Sequence, residues 1–352
     1  MRTIVLSAFC ILISLNAFAA CPVGIPVVVL PPQQVAGFSW TTAIQPMGDP
    51  CVTHIVVETA NQQSWYVGGA NGVYVTHDGG VNWTKPLSGH VGALLWEPKF
   101  QFIYAGVGNL LYFSRDHGAH FVVAHTFTQP VWSLLALGAQ NVLFTGLAWS
   151  DHVNPSGIFT SNLGGGQMVF HPFGSPPQTQ TGLLVWTISR DPANGTLYAG
   201  TEIFDHQPTP YKPPFFRSTN NAMTWQNVAN NLPTHVLASA VRPAGSYVYA
   251  LTEDLGLYGS STMGNSWIPP NAATPSLGIS LLMDPNVPTR LYAGRQNFGT
   301  QTGGIWRSTT SGNTFSLVGL KGVKVSSIAL NGTATKIYVA AYASGIYTSP
   351  VP

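Results

Sequence analysis

The sequence predicts an all-β chain, and more narrowly a seven-bladed β-propeller of four-stranded antiparallel blades, on three observations. A strand-turn-strand unit ending in an aromatic recurs down the chain, a hydrophobic strand precedes each copy, and the copies stand roughly 40–54 residues apart. Composition agrees. Of 352 residues 7% are charged and 45% hydrophobic, with 37 Gly and 27 Pro, which suits a turn-rich sheet protein rather than a helical or disordered one. A formal net charge of +2, with no Lys/Arg stripe, argues against nucleic acid as a partner.

In chain order, residues 1–19 read as an export signal: a basic start at Arg2, an apolar run from Ile4 to Leu15 and the small-x-small site Ala17-Phe18-Ala19. That run is too short for a stable membrane span, and no second hydrophobic segment of that length follows, so no integral span is expected. The mature chain is expected to be secreted or periplasmic. It keeps two cysteines, Cys21 and Cys51, an even pair that an oxidising compartment would join as a disulfide. The alternative, Cys21 acylated in a lipoprotein box, would leave Cys51 unpaired. Residues 20–33 form a Pro-rich segment, and 34–352 the propeller.

Seven hydrophobic segments serve as first strands: Val52–Glu58, Val91–Glu97, Val131–Leu137, Val185–Asp191, Val236–Arg242, Gly278–Asp284 and Val325–Asn331. Each is followed by a second strand with an aromatic at a fixed place, as in Trp65-Tyr66-Val67-Gly68 and Leu291-Tyr292-Ala293-Gly294. The third strand, turn and fourth strand are clearest in Gly72-Val73-Tyr74-Val75-Thr76-His77-Asp78-Gly79-Gly80-Val81-Asn82-Trp83. Here the alternating residues mark a strand, Asp78-Gly79-Gly80 is turn chemistry, and Trp83 covers the hairpin. Degraded copies place Asp116 with Phe121, Asn162 with a displaced Phe170, Asn220 with Trp225, Thr262 with Trp267, and Thr310 with Phe315. The last blade ends at Gly345-Ile346-Tyr347-Thr348-Ser349 without a fourth strand. The N-terminal segment Val35–Trp40 is expected to supply it, with Trp40 in the role of Trp83, closing the ring and removing two exposed edges.

The pattern Ser/Thr-x-Asp-x-Gly-x-x-Trp resembles the Asp-box, or BNR, repeat of sialidases, xyloglucanases, sortilin-type receptors and photosystem II assembly factors. The resemblance implies a structural role for the box residues. Sialidases of this type also carry an Arg-Ile-Pro motif, which does not occur here, and a cluster of three arginines, whereas only Arg295 falls in a long inter-strand link of this sequence; the xyloglucanases use two propellers, and here there is material for one. Size and layout are closest to the assembly factors, which act by binding a partner.

Function is expected where the blades differ. The links between second and third strands are long in blades three, four and six, and loops of that kind collect on one face. They carry Trp149, Asp151 and His152; Glu202, Phe204, Asp205, His206 and Tyr211; and Arg295, Asn297 and Phe298, with Glu253 and Asp254 in the equivalent link of blade five. His90, His235 and Lys324 fall near the same rim. Aromatics there suit sugar rings or peptide side chains. The leading reading is a non-catalytic face for a glycan or an extracytoplasmic protein, on a monomer without cofactor. Asp151, Glu202 and Asp205 are the catalytic candidates of the alternative, a glycoside hydrolase working through paired carboxylates. A third reading has Asp151-His152 and Asp205-His206 holding a metal, although their spacing is unspecific and no metal is expected.

Overall fold

The computed structural model describes residues 27–148, 154–174, 181–203, 214–232, 236–241, 247–252, 256–269, 278–296 and 302–352. It is a seven-bladed propeller. Blade one orders its strands Val52–Val57, Trp65–Gly69, Gly72–Thr76 and Thr84–Ser88 from the axis outward, all antiparallel. Blades two, three, four and six repeat this, starting at Val91–Glu97, Val131–Leu137, Leu183–Arg190 and Gly278–Met283. Blade five has three full strands, Val236–Val241, Val248–Thr252 and Gly256–Ser260, and a single bridge from Gly259 to Ile268 in place of a fourth. Blade seven contributes Lys324–Leu330, Lys336–Tyr342 and Gly345–Pro350. The seven first strands touch in cyclic order, and that of blade seven lies against that of blade one.

Closure comes from the N-terminal segment, as expected, but the pairing stretch lies further along. Gln33–Val35 and Phe38–Trp40 form their own hairpin. The ladder to the last strand runs from Thr41, whose amide donates to the Thr348 carbonyl at 3.0 Å, to Ile44, which exchanges two bonds of 2.8 Å with Ile346. The reason is local: Ala36 and Gly37 take φ of 50° and 86° and make a tight turn, so the chain folds back on itself before it meets blade seven.

Two sequence features set the packing between blades. In five blades the second residue after the second-strand aromatic is a glycine, and it is there for room: a Cβ on Gly68 would stand 2.6 Å from Val91 Cγ1, and one on Gly106 would stand 2.5 Å from Val131 Cγ1. The next blade's first strand can approach only because that side chain is missing. The aromatics of the turn units pack backward onto the preceding blade. Trp267 of blade five donates its indole N–H to Val228 O of blade four at 2.8 Å, and Trp40, completing blade seven, donates to Val318 O of blade six at 2.7 Å. Trp225 meets Phe173 of blade three edge-on at 5.4 Å. Phe315, Phe170 and Phe121 join the cores of blades five, two and one. Trp83, half-buried, closes the series against Trp65 and the core shared with blade seven. The expectation that these aromatics cover their own hairpins is therefore extended: each is also a wedge between two blades.

The turns preceding the aromatics keep one geometry while their side chains change. Asp78 Oδ1 accepts the amides of Val81 and Asn82 at 3.0 and 2.9 Å, and the Thr76 hydroxyl accepts the Gly80 amide at 3.1 Å. Asp116 takes the His120 amide at 2.9 Å, Asn162 the Gly166 amide at 2.9 Å, and Asn220 the Thr224 amide at 3.0 Å. With shorter reach, Thr262 and Thr310 still accept the Ser266 and Thr314 amides at 2.9 and 3.0 Å. One acceptor of the correct length is enough, so a carboxylate can decay to an amide and then a hydroxyl without loss of the turn. These turns lie at the end of the blades opposite the second-to-third-strand links.

Cys51 is fully buried and disulfide-bonded; Cys21, the partner expected for it, lies outside the described residues. Among the described residues no helix is long and apolar enough to cross a membrane.

Candidate functional site: the channel mouth

At the end of the ring carrying the long links, every first strand is bulged after its first core valine or glycine. The register shifts at Val52/His54, Val91/Ala93, Val131/Ser133, Val185/Thr187, Val236/Ala238, Gly278/Ser280 and Val325/Ser327. A bulge adds one residue and re-aims its side chain. The extra residues are Thr53, Gly92, Trp132, Trp186, Leu237, Ile279 and Ser326, and they change character from blade to blade.

Blades three and four place tryptophan there, and the two rings converge. Trp132 and Trp186 meet edge-to-face at 5.8 Å, and His90 stacks on Trp132 at 5.9 Å. Gly92 makes the slot: a Cβ on it would lie 3.2 Å from Trp132 Cε3 and 2.3 Å from the Val131 carbonyl oxygen. Both indoles remain partly exposed, so the arc offers apolar faces at the channel opening. His54, beside His90, has its pKa depressed to about 4, first by burial and then by the neighbouring imidazole.

Glu202 ends the arc. Its Oε2 accepts the Trp186 indole N–H at 2.5 Å, and the residue is 4% exposed. Burial raises its pKa to about 7, against the opposing effect of the indole hydrogen bond. It is therefore a carboxyl group with both protonation states accessible near neutrality.

Glu202 was expected in a loop, and this is corrected. The second strand of blade four runs Leu197–Ile203, with Leu184 opposite Glu202. The β-branched and small residues of Tyr198-Ala199-Gly200-Thr201 continue the ladder past the point where polarity suggested an end. Arg295 is corrected in the same way. It is the last residue of the strand Leu291–Arg295, paired with Gly278 and Gly304, buried, and its guanidinium lies 5.6 Å from the Trp306 ring centre. Lys324 starts the first strand of blade seven, with its ammonium 5.0 Å from the Tyr342 ring and its pKa lowered to about 8 by burial. Trp149, Asp151, His152, Phe204, Asp205, His206, Tyr211, His235, Glu253, Asp254, Asn297 and Phe298 lie outside the described residues. No group of three His, Cys, Asp or Glu suited to a metal occurs among the described residues.

Sequence reasoning missed Trp132, Trp186 and His54. The signal was present: in aligned first strands the second position varies from Thr to Gly to Trp to Ser while the preceding position is Val in six of seven. It also missed that three of the acids after the first strands are committed to backbone, while Glu58 holds the Tyr66 hydroxyl and the His117 imidazole. Glu97 accepts the amides of Lys99 and Phe100 at 3.1 and 2.8 Å, Asp191 that of Ala193 at 2.8 Å, and Asp284 that of Asn286 at 2.9 Å.

No protein-family model and no curated protein matches the sequence. Solved structures do resemble the fold. YCF48 bound to D1 peptide superposes with a TM-score of 0.63 at 12% identity, over 94% of this chain and 100% of that one. An ancestral GH74 enzyme gives 0.67 at 15% identity over 92% of this chain, which spans 46% of the enzyme. Hydrazine synthase of Kuenenia stuttgartiensis gives 0.65 at 11% identity, over 86% of this chain and 96% of that one. At identities of 11–15% these likenesses establish the seven-bladed propeller, and the chemistry has to be argued from the mouth.

Proposed function

We propose that this protein is an exported, non-catalytic binding propeller that holds a glycan or protein partner at the channel mouth. The observation that carries this reading is the arc His90–Trp132–Trp186–Glu202. Aromatic faces give contact area at low entropic cost, and one buried carboxyl, able to donate when protonated, gives direction. The long links of blades three, four and six, with Trp149, Phe204, Tyr211 and Phe298, would enlarge the platform. That YCF48 holds a peptide on the same fold supports a protein partner. The disulfide at Cys51 supports an oxidising location after cleavage of the signal. The six turns of constant geometry support the Asp-box assignment and a structural role for Asp78 and Asp116.

One observation favours a second reading, a glycoside hydrolase. A carboxyl with pKa near 7 suits a general acid. It would need a second carboxylate roughly 5–9.5 Å away, from Asp151 or Asp205. The two readings separate in one experiment. The purified chain is applied to glycan and peptide arrays, and every bound glycan is then incubated with it and its reducing ends are counted. Binding without new reducing ends supports the binder; turnover that is lost in Glu202→Gln replaces it with the hydrolase.

A further inference from the structure

Further out along blade one, at the same end of the ring, a cavity of about 510 Å³ is walled by Met47, Asp49, Ala70, Asn71, Tyr74 and Lys85. Its size falls within the range of small-molecule pockets, roughly 300–1,000 Å³. The donors and acceptors around it can be accounted for one by one. The Asp49 carboxylate on the floor is occupied: it accepts the Cys51 amide at 2.8 Å, the Asn71 side-chain amide at 2.8 Å and the Tyr74 hydroxyl at 2.5 Å. The nearby backbone amides are occupied too, Gly48 by Gln45 O, Asp49 by Pro46 O, Ala70 by Cys51 O and Gly89 by Asn71 O.

What remains is the Lys85 ammonium and, on the Asn71 amide, its second proton and its Oδ1. Lys85 is exposed, its ammonium stands 5.7 Å from the Tyr74 ring centre, and it takes part in none of the ion pairs found among the described residues. The Asn71 amide can serve either kind of partner, whereas the ammonium can only donate; with the Asp49 carboxylate already held by three neutral donors, the ammonium is the group that selects, and it calls for an acceptor carrying negative charge. The rim supplies the apolar complement. Met47 is held at φ 49° and ψ 31°, next to Gly48 at φ 78°, with its thioether side chain 64% exposed. A left-handed non-glycine residue that buries little of its side chain needs support from its surroundings. Cys51, four residues on, is fully buried and its carbonyl accepts the Ala70 amide at 3.0 Å, which fixes that segment against blade one.

We propose that this cavity binds a carboxylate carried on a short apolar body, with Lys85 and Asn71 holding the charge and Met47 covering the apolar part. A free organic acid and a peptide C-terminus share that chemistry. The test is calorimetric titration of the full chain with hexanoate, and with acetyl-tetra-alanine bearing either a free or an amidated C-terminus. Saturable binding is expected, weakened about tenfold by Lys85→Met and restored by Lys85→Arg, as for loss of one charge-assisted contact. Preference for the free-terminus peptide over hexanoate would name a peptide as the source, and the reverse a small acid. Equal affinity of wild type and Lys85→Met, equal binding of the amidated peptide, or no saturable binding of either acid would overturn the proposal.

Discussion

The two ends of the ring use the same residue types for opposite purposes. At the turn end, carboxylates and their substitutes point at backbone amides: Asp78, Asp116, Asn162, Asn220, Thr262 and Thr310 each close the same loop. The acids following the first strands, such as Asp191 and Asp284, cap the other turns of that end. At the mouth, the acid Glu202 faces an indole instead of a backbone amide, and the bulged Trp132 and Trp186 meet across blades. The carboxylates of Asp78 and Asp116, whose hydrogen bonds are filled by their own turns, have depressed pKa values and no chemistry to offer. A carboxylate that is buried with a single donor has a raised pKa and remains available to a ligand. In a chain with only 12 acids, this difference separates framework from site better than position in a loop does.

The largest effect is expected from the framework. Trp40 is 2% exposed, stacked on Phe38 and hydrogen-bonded to Val318, and it wedges the N-terminal segment against blade six. Trp40→Ala should cost about 3–5 kcal/mol and lower the denaturation midpoint as measured by urea titration. A variant with an unshifted midpoint would show that the closing segment is dispensable.

Glu202 gives the next effect, with the opposite sign. Its folded pKa is raised to about 7 from an ordinary 4.5, so between those values the folded chain binds more protons than the unfolded one. Its stabilising effect is therefore present below about pH 4.5 and lost as pH rises through about 7, a change of roughly 3 kcal/mol. Glu202→Gln should remove that slope and make the protein more stable than wild type at pH 8, checked by thermal melts at pH 5 and pH 8. Parallel wild-type and variant curves would contradict the burial of the carboxyl.

The smallest effect should come from Asp78→Ala. The Asp78 pKa is held at about 2 by the Asn82 amide and its other turn donors, so its contribution is present above about pH 4 and lost as pH falls toward 2. A lowered melting temperature at pH 7, converging with wild type near pH 2, is the expected outcome. A change in ligand affinity at an unchanged melting temperature would mean that the turn end belongs to the site after all.

The fold was legible in the sequence because a repeat states its own period. Seven hydrophobic strands and seven second-strand aromatics each counted the blades independently, six turn units marked every blade but the last, and the N-terminal Trp40 segment offered the remaining strand. The mouth was legible only in outline. Polarity placed Glu202 and Arg295 in loops, whereas hydrogen bonding to Leu184 and Gly304 partners keeps both on strands. Trp132 and Trp186 read as strand hydrophobes because a bulge leaves no mark in a single segment. It shows only when aligned blades reveal one position varying beside a constant valine. The glycines of Tyr-Ala-Gly and Tyr-Val-Gly were likewise present in the sequence, but their meaning depends on Val91, Val131 and their equivalents in the neighbouring blade.

The central claim is that the bulged mouth binds and the turn end only supports. It is tested most directly by the dissociation constant of the tightest array ligand, measured for wild type and Trp132→Ala in parallel with Asp78→Ala. The account predicts at least a tenfold loss for Trp132→Ala, corresponding to roughly 1.4 kcal/mol of lost aromatic contact, and an unchanged constant for Asp78→Ala. Full affinity in Trp132→Ala, or the loss appearing in Asp78→Ala instead, would contradict it.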